Sequence, residues 1–302
     1  MKISEIIENA KENFGIVEII SDNEFDTLGL AVSSVNMSFC TFIDDVKYIE
    51  SLKDNATMVI TSYKVSDLIA NRGVCISENP RITFFKIHNY LAKSDKDYRL
   101  DEEFDTIIGE NCKISDKAYI ASKNVKIGNN VIIEEFVSIK ENTIIGDNTF
   151  IGAGSVIGGE GYEFKRLKNS EVLTVKHIGW TKIGKNVDIQ YNTCIDKAIY
   201  PWDATVIGDY CKISNLVHIA HGVKLGKAVF VVAGALIGGR TVIKDNTWIG
   251  VGATVSNGLT VGKDARVNIG AVATKNVDDY SSVSGNFAID HNKFIEFIKS
   301  IR

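Results

Sequence analysis

Proline is almost missing from this chain: two residues, Pro80 and Pro201, stand against 25 glycines in 302 residues. Turns made without proline draw on glycine and asparagine, whose backbones tolerate the left-handed region, so a regular, strand-rich fold is expected. The five cysteines, Cys40, Cys75, Cys112, Cys194 and Cys211, are scattered and odd in number, with no C-x-x-C pair. They indicate neither a disulfide framework nor a zinc knuckle, and a reducing cytoplasm fits them best. No apolar run approaches membrane-spanning length, so a soluble protein without membrane insertion is expected. Nor does one sign of charge dominate: the formal net charge of −4 gives no long-range pull on nucleic acid or anionic lipid. What remains is a small-molecule partner.

What the chain does contain is a six-residue repeat. Aliphatic residues recur at Ile183, Ile189, Ile195, then, after a break at Pro201, at Ile207, Ile213, Ile219, Leu225, Val231, Ile237, Ile243, Ile249, Val255, Val261 and Val267. An earlier series in another phase runs through Ile127, Ile133, Ile139, Ile145, Ile151 and Ile157, and Ile108, Ile114 and Ile120 lead in one residue out of step. A period of six excludes an amphipathic helix, whose apolar stripe recurs at 3.6, and simple alternating hairpins, whose period is two. A β-solenoid satisfies it, with one aliphatic residue per short strand pointing inward and coils stacked by strand pairing.

At these residues the chain resembles the hexapeptide-repeat acyltransferases, which implies three strands per coil, 18 residues per coil and a left-handed parallel β-helix, against the usual right-handed crossover. Residues 1–100 lack the period. There S-F-C-T-F-I, T-M-V-I-T and R-G-V-C-I-S read as strands and R-I-T-F-F-K-I-H-N-Y-L as a helix. The expected organisation is mainly β: a small α/β domain over 1–100, the left-handed β-helix over 101–278 with an insertion at 158–182, and a helical tail over 279–302. The apolar spacing of Phe294, Ile295, Phe297, Ile298 and Ile301 predicts that the tail helix packs on the solenoid or on a neighbouring subunit.

Several stretches narrow the resemblance to the UDP-3-O-acylglucosamine N-acyltransferases of lipid A biosynthesis. F-I-D-D-V-K-Y is similar to a family segment whose outer aromatics, here Phe42 and Tyr48, hold uracil. S-E-N-P-R-I-T-F-F is similar to that domain's Asn-Pro and following helix. G-G-E-G-Y-E-F resembles the insertion loop G-x-D-G-F-G-[FY]. C-I-D-K-A and S-N-L-V-H-I-A-H-G resemble T-I-D-R-G and D-N-x-x-x-I-A-H-N, whose histidine is the family's catalytic base and is His221 here. Departures are Ser214 for the aspartate, Gly222 for the asparagine after the histidine, and N-G-L-T, with Asn257, where the family carries Gly-His.

Histidine titrates close enough to neutrality to take the proton that an amine loses on attacking a thioester. With 18-residue coils, Gly239 lies directly above His221 and Asn257 two coils above, a channel of small and polar groups for a thioester, with the Gly239 main chain placed to donate to an oxyanion. The same arithmetic stacks Asp196 under Ser214, where it and Asn215 would orient the imidazole or bind a sugar hydroxyl. His221 lies two residues past inward Ile219, so its side chain is expected not to fill the core. The plainer readings are a polar residue on a solenoid face for His221, an outward residue for His218, a corner cap for Asp196 and core aromatics for Phe42 and Tyr48. Tyr162, Phe164, Lys165 and Arg166 in the insertion offer rings and charge to a nucleotide or diphosphate, or form a solvated basic loop.

The resemblance implies an acyltransferase that moves an acyl group from acyl carrier protein or coenzyme A to the amine of a UDP-linked amino sugar, as a cytoplasmic homotrimer with no metal and no permanently bound cofactor. Alternatives are a short-chain, coenzyme A-dependent N-acyltransferase for surface polysaccharide and a non-catalytic solenoid that binds a partner. A γ-type carbonic anhydrase needs three zinc histidines, and His218 and His221 have no suitable third.

Overall fold

The computed structural model describes residues 1–99, 103–285 and 287–301, with the main chain alone at Lys11. Two compact units emerge, Met1–Glu103 with Glu160–Trp180 and Ala198–Asp203, and Phe104–Gly159 with Thr181–Lys197 and Ala204–Arg302. The expected boundary at 100/101 falls outside the described residues.

The first unit is built on a five-stranded sheet of β1 (Val17–Ser21), β2 (Thr27–Leu28), β3 (Phe39–Ile43), β4 (Ala56–Thr61) and β5 (Gly73–Ser77), ordered β1-β5-β4-β3-β2. β5, β4, β3 and β2 run parallel and β1 antiparallel. Buried on both faces, β3 to β5 read as near-continuous apolar runs, the pattern of parallel strands. Helix α1 (Ile3–Asn9) buries Ile3, Ile6 and Ile7, and α2 (Tyr63–Ser66) is a single turn. The long helix α3 (Pro80–Ser94) starts where its sequence says it should: Asn79 caps it by accepting from the Ile82 N–H, and Pro80 fills the first turn, where no N–H is needed. Glu160–Trp180 belongs to this unit and is a hairpin, not an open loop, with Phe164–Arg166 paired antiparallel to Val172–Thr174.

The second unit is the left-handed β-helix, three parallel sheets of nine, eight and eight short strands. Every residue of the hexad series from Ile127 to Ile157 and from Ile183 to Val267 is at most 3% exposed. Each such core isoleucine contributes on the order of 2 kcal/mol of burial. A second inward column lies two residues before the first and mixes Val, Thr, Ser, Ala and Cys, as at Val125, Val131, Ser155, Thr193, Thr205, Cys211, Val217 and Ala235. Several of its hydroxyls are spent on the adjoining coil: Thr193 Oγ1 donates to Ser214 O at 2.8 Å and Thr247 Oγ1 to Gly262 O at 2.7 Å. The residue just before that column turns the corner with positive φ, at Asn124, Asn130, Asn142, Asn148, Asn186, Asn192 and Asn246, and at Gly154, Gly222, Gly234, Gly252, Gly258 and Gly270. Asparagine and glycine, not proline, make these corners because they enter the left-handed region at little cost.

Two expectations are corrected. Ile108 is 47% exposed although it pairs with Ile127, because its coil is terminal and has a neighbour on one side only. That coil is also one residue longer, Ile114 pairing with Ile133 and Ile120 with Ile139, which is why these residues are out of step. The helix of the tail, His291–Ser300, is present, with Ile295 and Ile298 half-buried and no residue fully buried. Asp196 does not stack under Ser214. In the regular coils partners are 18 apart, as for Ile213 and Val231, but the coil containing Ala198–Asp203 is six residues longer, so Cys194 pairs with His218 and Ile195 with Ile219.

Candidate active site

In the second unit, His221 follows the strand His218–Ile219 at a corner. Its neighbour Gly222 takes the left-handed turn at φ 70 and donates its N–H to Thr205 Oγ1 at 2.8 Å. Glycine meets that left-handed turn at little cost. One coil on, Arg240 N donates to His221 O at 2.9 Å, and two coils on, Gly258 N donates to Gly239 O at 2.9 Å, which fixes the column His221, Gly239, Asn257. The imidazole is packed under the bare α-carbon of Gly239: a Cβ there would lie 2.8 Å from both Cε1 and Nε2. Any side chain at 239 would displace the ring. His221 is 7% exposed, more buried than its position two residues past Ile219 suggests, because Gly239 lies on the ring.

Asp196 and His218 are brought together by the long coil, His218 Nε2 lying 3.6 Å from Asp196 Oδ2. Burial pushes the Asp196 carboxyl up, and the adjacent His218 opposes the shift. The aspartate side chain is 10% exposed and the histidine 42%, so the pair presents an imidazole to solvent with a carboxylate behind it. Asn215 is engaged in coil stacking, its Oδ1 accepting from Tyr191 N at 3.1 Å. Ser214 Oγ donates to Gln190 Oε1 at 2.9 Å.

In the first unit, Phe42 on β3 is half-buried and packs with Phe84 and Phe85 of α3 at ring separations of 5.1 and 6.1 Å. The Arg81 guanidinium lies 5.5 Å from the Phe42 ring and pairs with Asp44 at 3.0 Å. From the hairpin, Lys165 Nζ stands 4.7 Å from the Phe85 ring and pairs with Glu163. Strand, helix and hairpin thus converge on one aromatic cluster edged by two cations. Tyr48 is exposed on the 3-10 turn Val46–Ser51, with Lys47 Nζ 5.0 Å from its ring. Tyr162 is 86% exposed and contacts Phe164 at 4.9 Å. Sequence reasoning missed Arg81, Asp44, Phe84, Phe85 and Glu163. The signal was in N-P-R-I-T-F-F, where a capped helix start carries a cation and two aromatics within one turn of each other.

Among the described residues, no three His, Cys, Asp or Glu side chains are grouped to hold a metal ion, and no helix is long and apolar enough to cross a membrane.

A left-handed coil of hexads with a histidine packed against a bare glycine corner defines a hexapeptide-repeat transferase, and residues 124–159 and 204–239 match the bacterial transferase hexapeptide (six repeats) family. A UDP-3-O-acylglucosamine N-acyltransferase of Campylobacter curvus is 32% identical over 310 aligned residues, spanning 96% of this chain and 94% of that protein. The chain belongs to the UDP-3-O-acylglucosamine N-acyltransferase family. A Delftia acidovorans protein of the same name is 30% identical over 135 residues, 45% of this chain, so the match spans well under half, 39%, of that relative. Of solved structures, the UDP-N-acetylglucosamine acyltransferase from Campylobacter jejuni is similar in fold, with a TM-score of 0.54 at 21% identity over 65% of this chain and 79% of that one.

Proposed function

We propose that this protein transfers an acyl group from a pantetheine thioester to the amine of a UDP-linked amino sugar. The observation that carries the reading is the packing of His221 under Gly239, where the ring lies against a position that has no side chain of its own. The amine nitrogen attacks the thioester carbonyl, the C–N bond forms, and His221 takes the proton the nitrogen loses. The Gly239 N–H would donate to the developing oxyanion. Collapse breaks the C–S bond, and the proton on His221 passes to the departing sulfur. Asp196, behind His218, would hold that imidazole for a sugar hydroxyl. Phe42, with Tyr48, would take the uracil ring, and Tyr162, Phe164 and Lys165 would flank the nucleotide.

Acyl carrier protein is the proposed donor, as the resemblance in the sequence implies, with the reaction in the cytoplasm and in the path to lipid A. One observation favours a second reading, a short acyl group from coenzyme A: the exposed, polar Asn257 stands two coils above His221. Assay of the purified protein with a UDP-linked amino sugar and either donor, read as amide product by mass spectrometry, separates the two. Preference for acetyl-coenzyme A would reject the carrier-protein reading, and no amide with any donor would reject both. The assembly is proposed to be a homotrimer, and light scattering at the mass of one chain across micromolar concentrations would contradict it.

A further inference from the structure

Two consecutive side chains on α3 grip the hairpin as a neighbouring strand would. Asn89 Nδ2 donates to Thr174 O at 2.7 Å, and Asn89 Oδ1 accepts from Lys176 N at 2.9 Å. His88 Nε2 lies 2.8 Å from Lys176 O, and because a carbonyl only accepts, that nitrogen carries the proton. His88 Nδ1 is then the acceptor for the Tyr98 hydroxyl at 2.7 Å. Burial pushes His88 down to about 4, so one neutral tautomer persists at physiological pH. Between the gripped residues, Val175 is 1% exposed within the core of this unit.

The grip acts on the residues that face the aromatic cluster. Thr174 is paired directly with Phe164, and Leu173 with Lys165, whose ammonium stands over Phe85. Phe85 in turn touches Phe42. We propose that His88 and Asn89 are positioning residues for sugar-nucleotide recognition: they fix Thr174–Lys176 and, through the hairpin register, set Phe164 and Lys165 beside Phe85 and Phe42. This rests on the reading of Phe42 and its neighbours as the uridine site.

The test compares wild type with Asn89→Ala, whose side chain is half-buried on the helix surface and leaves no core cavity, and with His88→Gln as a second variant. UDP is titrated calorimetrically, KM is measured for the sugar nucleotide and for the thioester, and amide hydrogen exchange is followed over 163–176. Faster exchange there is expected, with UDP affinity lowered and sugar-nucleotide KM raised about tenfold, as for losing hydrogen bonds that hold one conformation. The kcat and the thioester KM should stay within about twofold, since neither depends on nucleotide contacts. Unchanged exchange, or faster exchange with unchanged UDP affinity, would overturn the positioning role and leave the uridine site standing. A parallel loss of kcat and of both affinities would also overturn it, marking the grip as purely structural. Failure of the wild type itself to bind UDP would overturn the uridine reading and this inference with it.

Discussion

His221 and Gly239 form one packed pair, because the ring and the missing side chain occupy the same corner in consecutive coils. A Cβ at 239 would sit 2.8 Å from the imidazole, closer than carbon atoms tolerate, so Gly239→Ala forces the ring aside. Misplacement of well under 1 Å at a reacting group costs on the order of tenfold or more. Gly239→Ala is therefore expected to lower kcat at least about tenfold while circular dichroism stays that of the wild type; wild-type turnover would show that the ring position is not limiting. His88 supplies a pH prediction. Its folded-state value is about 4 because burial disfavours the cation, against the ordinary 6.5. The unfolded chain therefore binds the extra proton first, and the contribution to stability is present above pH 6.5 and is lost as pH falls toward 4. Between pH 7.5 and 5 that loss is about 2 kcal/mol. Urea midpoints should fall over this range in the wild type and fall less in His88→Gln; identical slopes would contradict the assignment.

At the level of elements, the inward column of isoleucines is legible at sight because it is chemically uniform. The second column is not, since Thr193, Ser155, Cys211 and Ala235 share only small size and a satisfied or absent polar group. The corners are half legible. Asparagine and glycine advertise the left-handed turn, but Phe136, Tyr210, Leu216, Ala228, Arg240 and Tyr280 adopt it too, against their own preference. Left-handed backbone costs such residues roughly 1–2 kcal/mol. Leu216, at φ 58 and 65% exposed, has little packing to lose. Leu216→Asn should accordingly raise stability by about 1 kcal/mol, read as a higher urea midpoint; a lower one would mean that the leucine is covered. The Asp196–His218 pair was hidden for a different reason. Pro201 marked an interruption, but its length of six residues, which shifts the stacking offset and carries Asp196 to His218, is set by where the coil closes again. The hairpin was hidden as well, because its strands are three residues long and its burial alternates with no apolar face.

At the scale of the whole molecule, the chain combines a β-helix that carries one histidine corner with an α/β unit that carries an aromatic, cation-edged cluster. A transferase for a nucleotide-linked amine requires both a proton acceptor and a means of holding a flat base and its charged linkage. The most direct measurement is single-turnover amide formation by His221→Gln, a substitution that keeps much of the volume buried under Gly239 and cannot take the amine proton. With UDP affinity and the urea midpoint near those of the wild type, the rate should fall by about 10² to 10⁴. A rate within threefold or so of the wild type would contradict His221 as the general base.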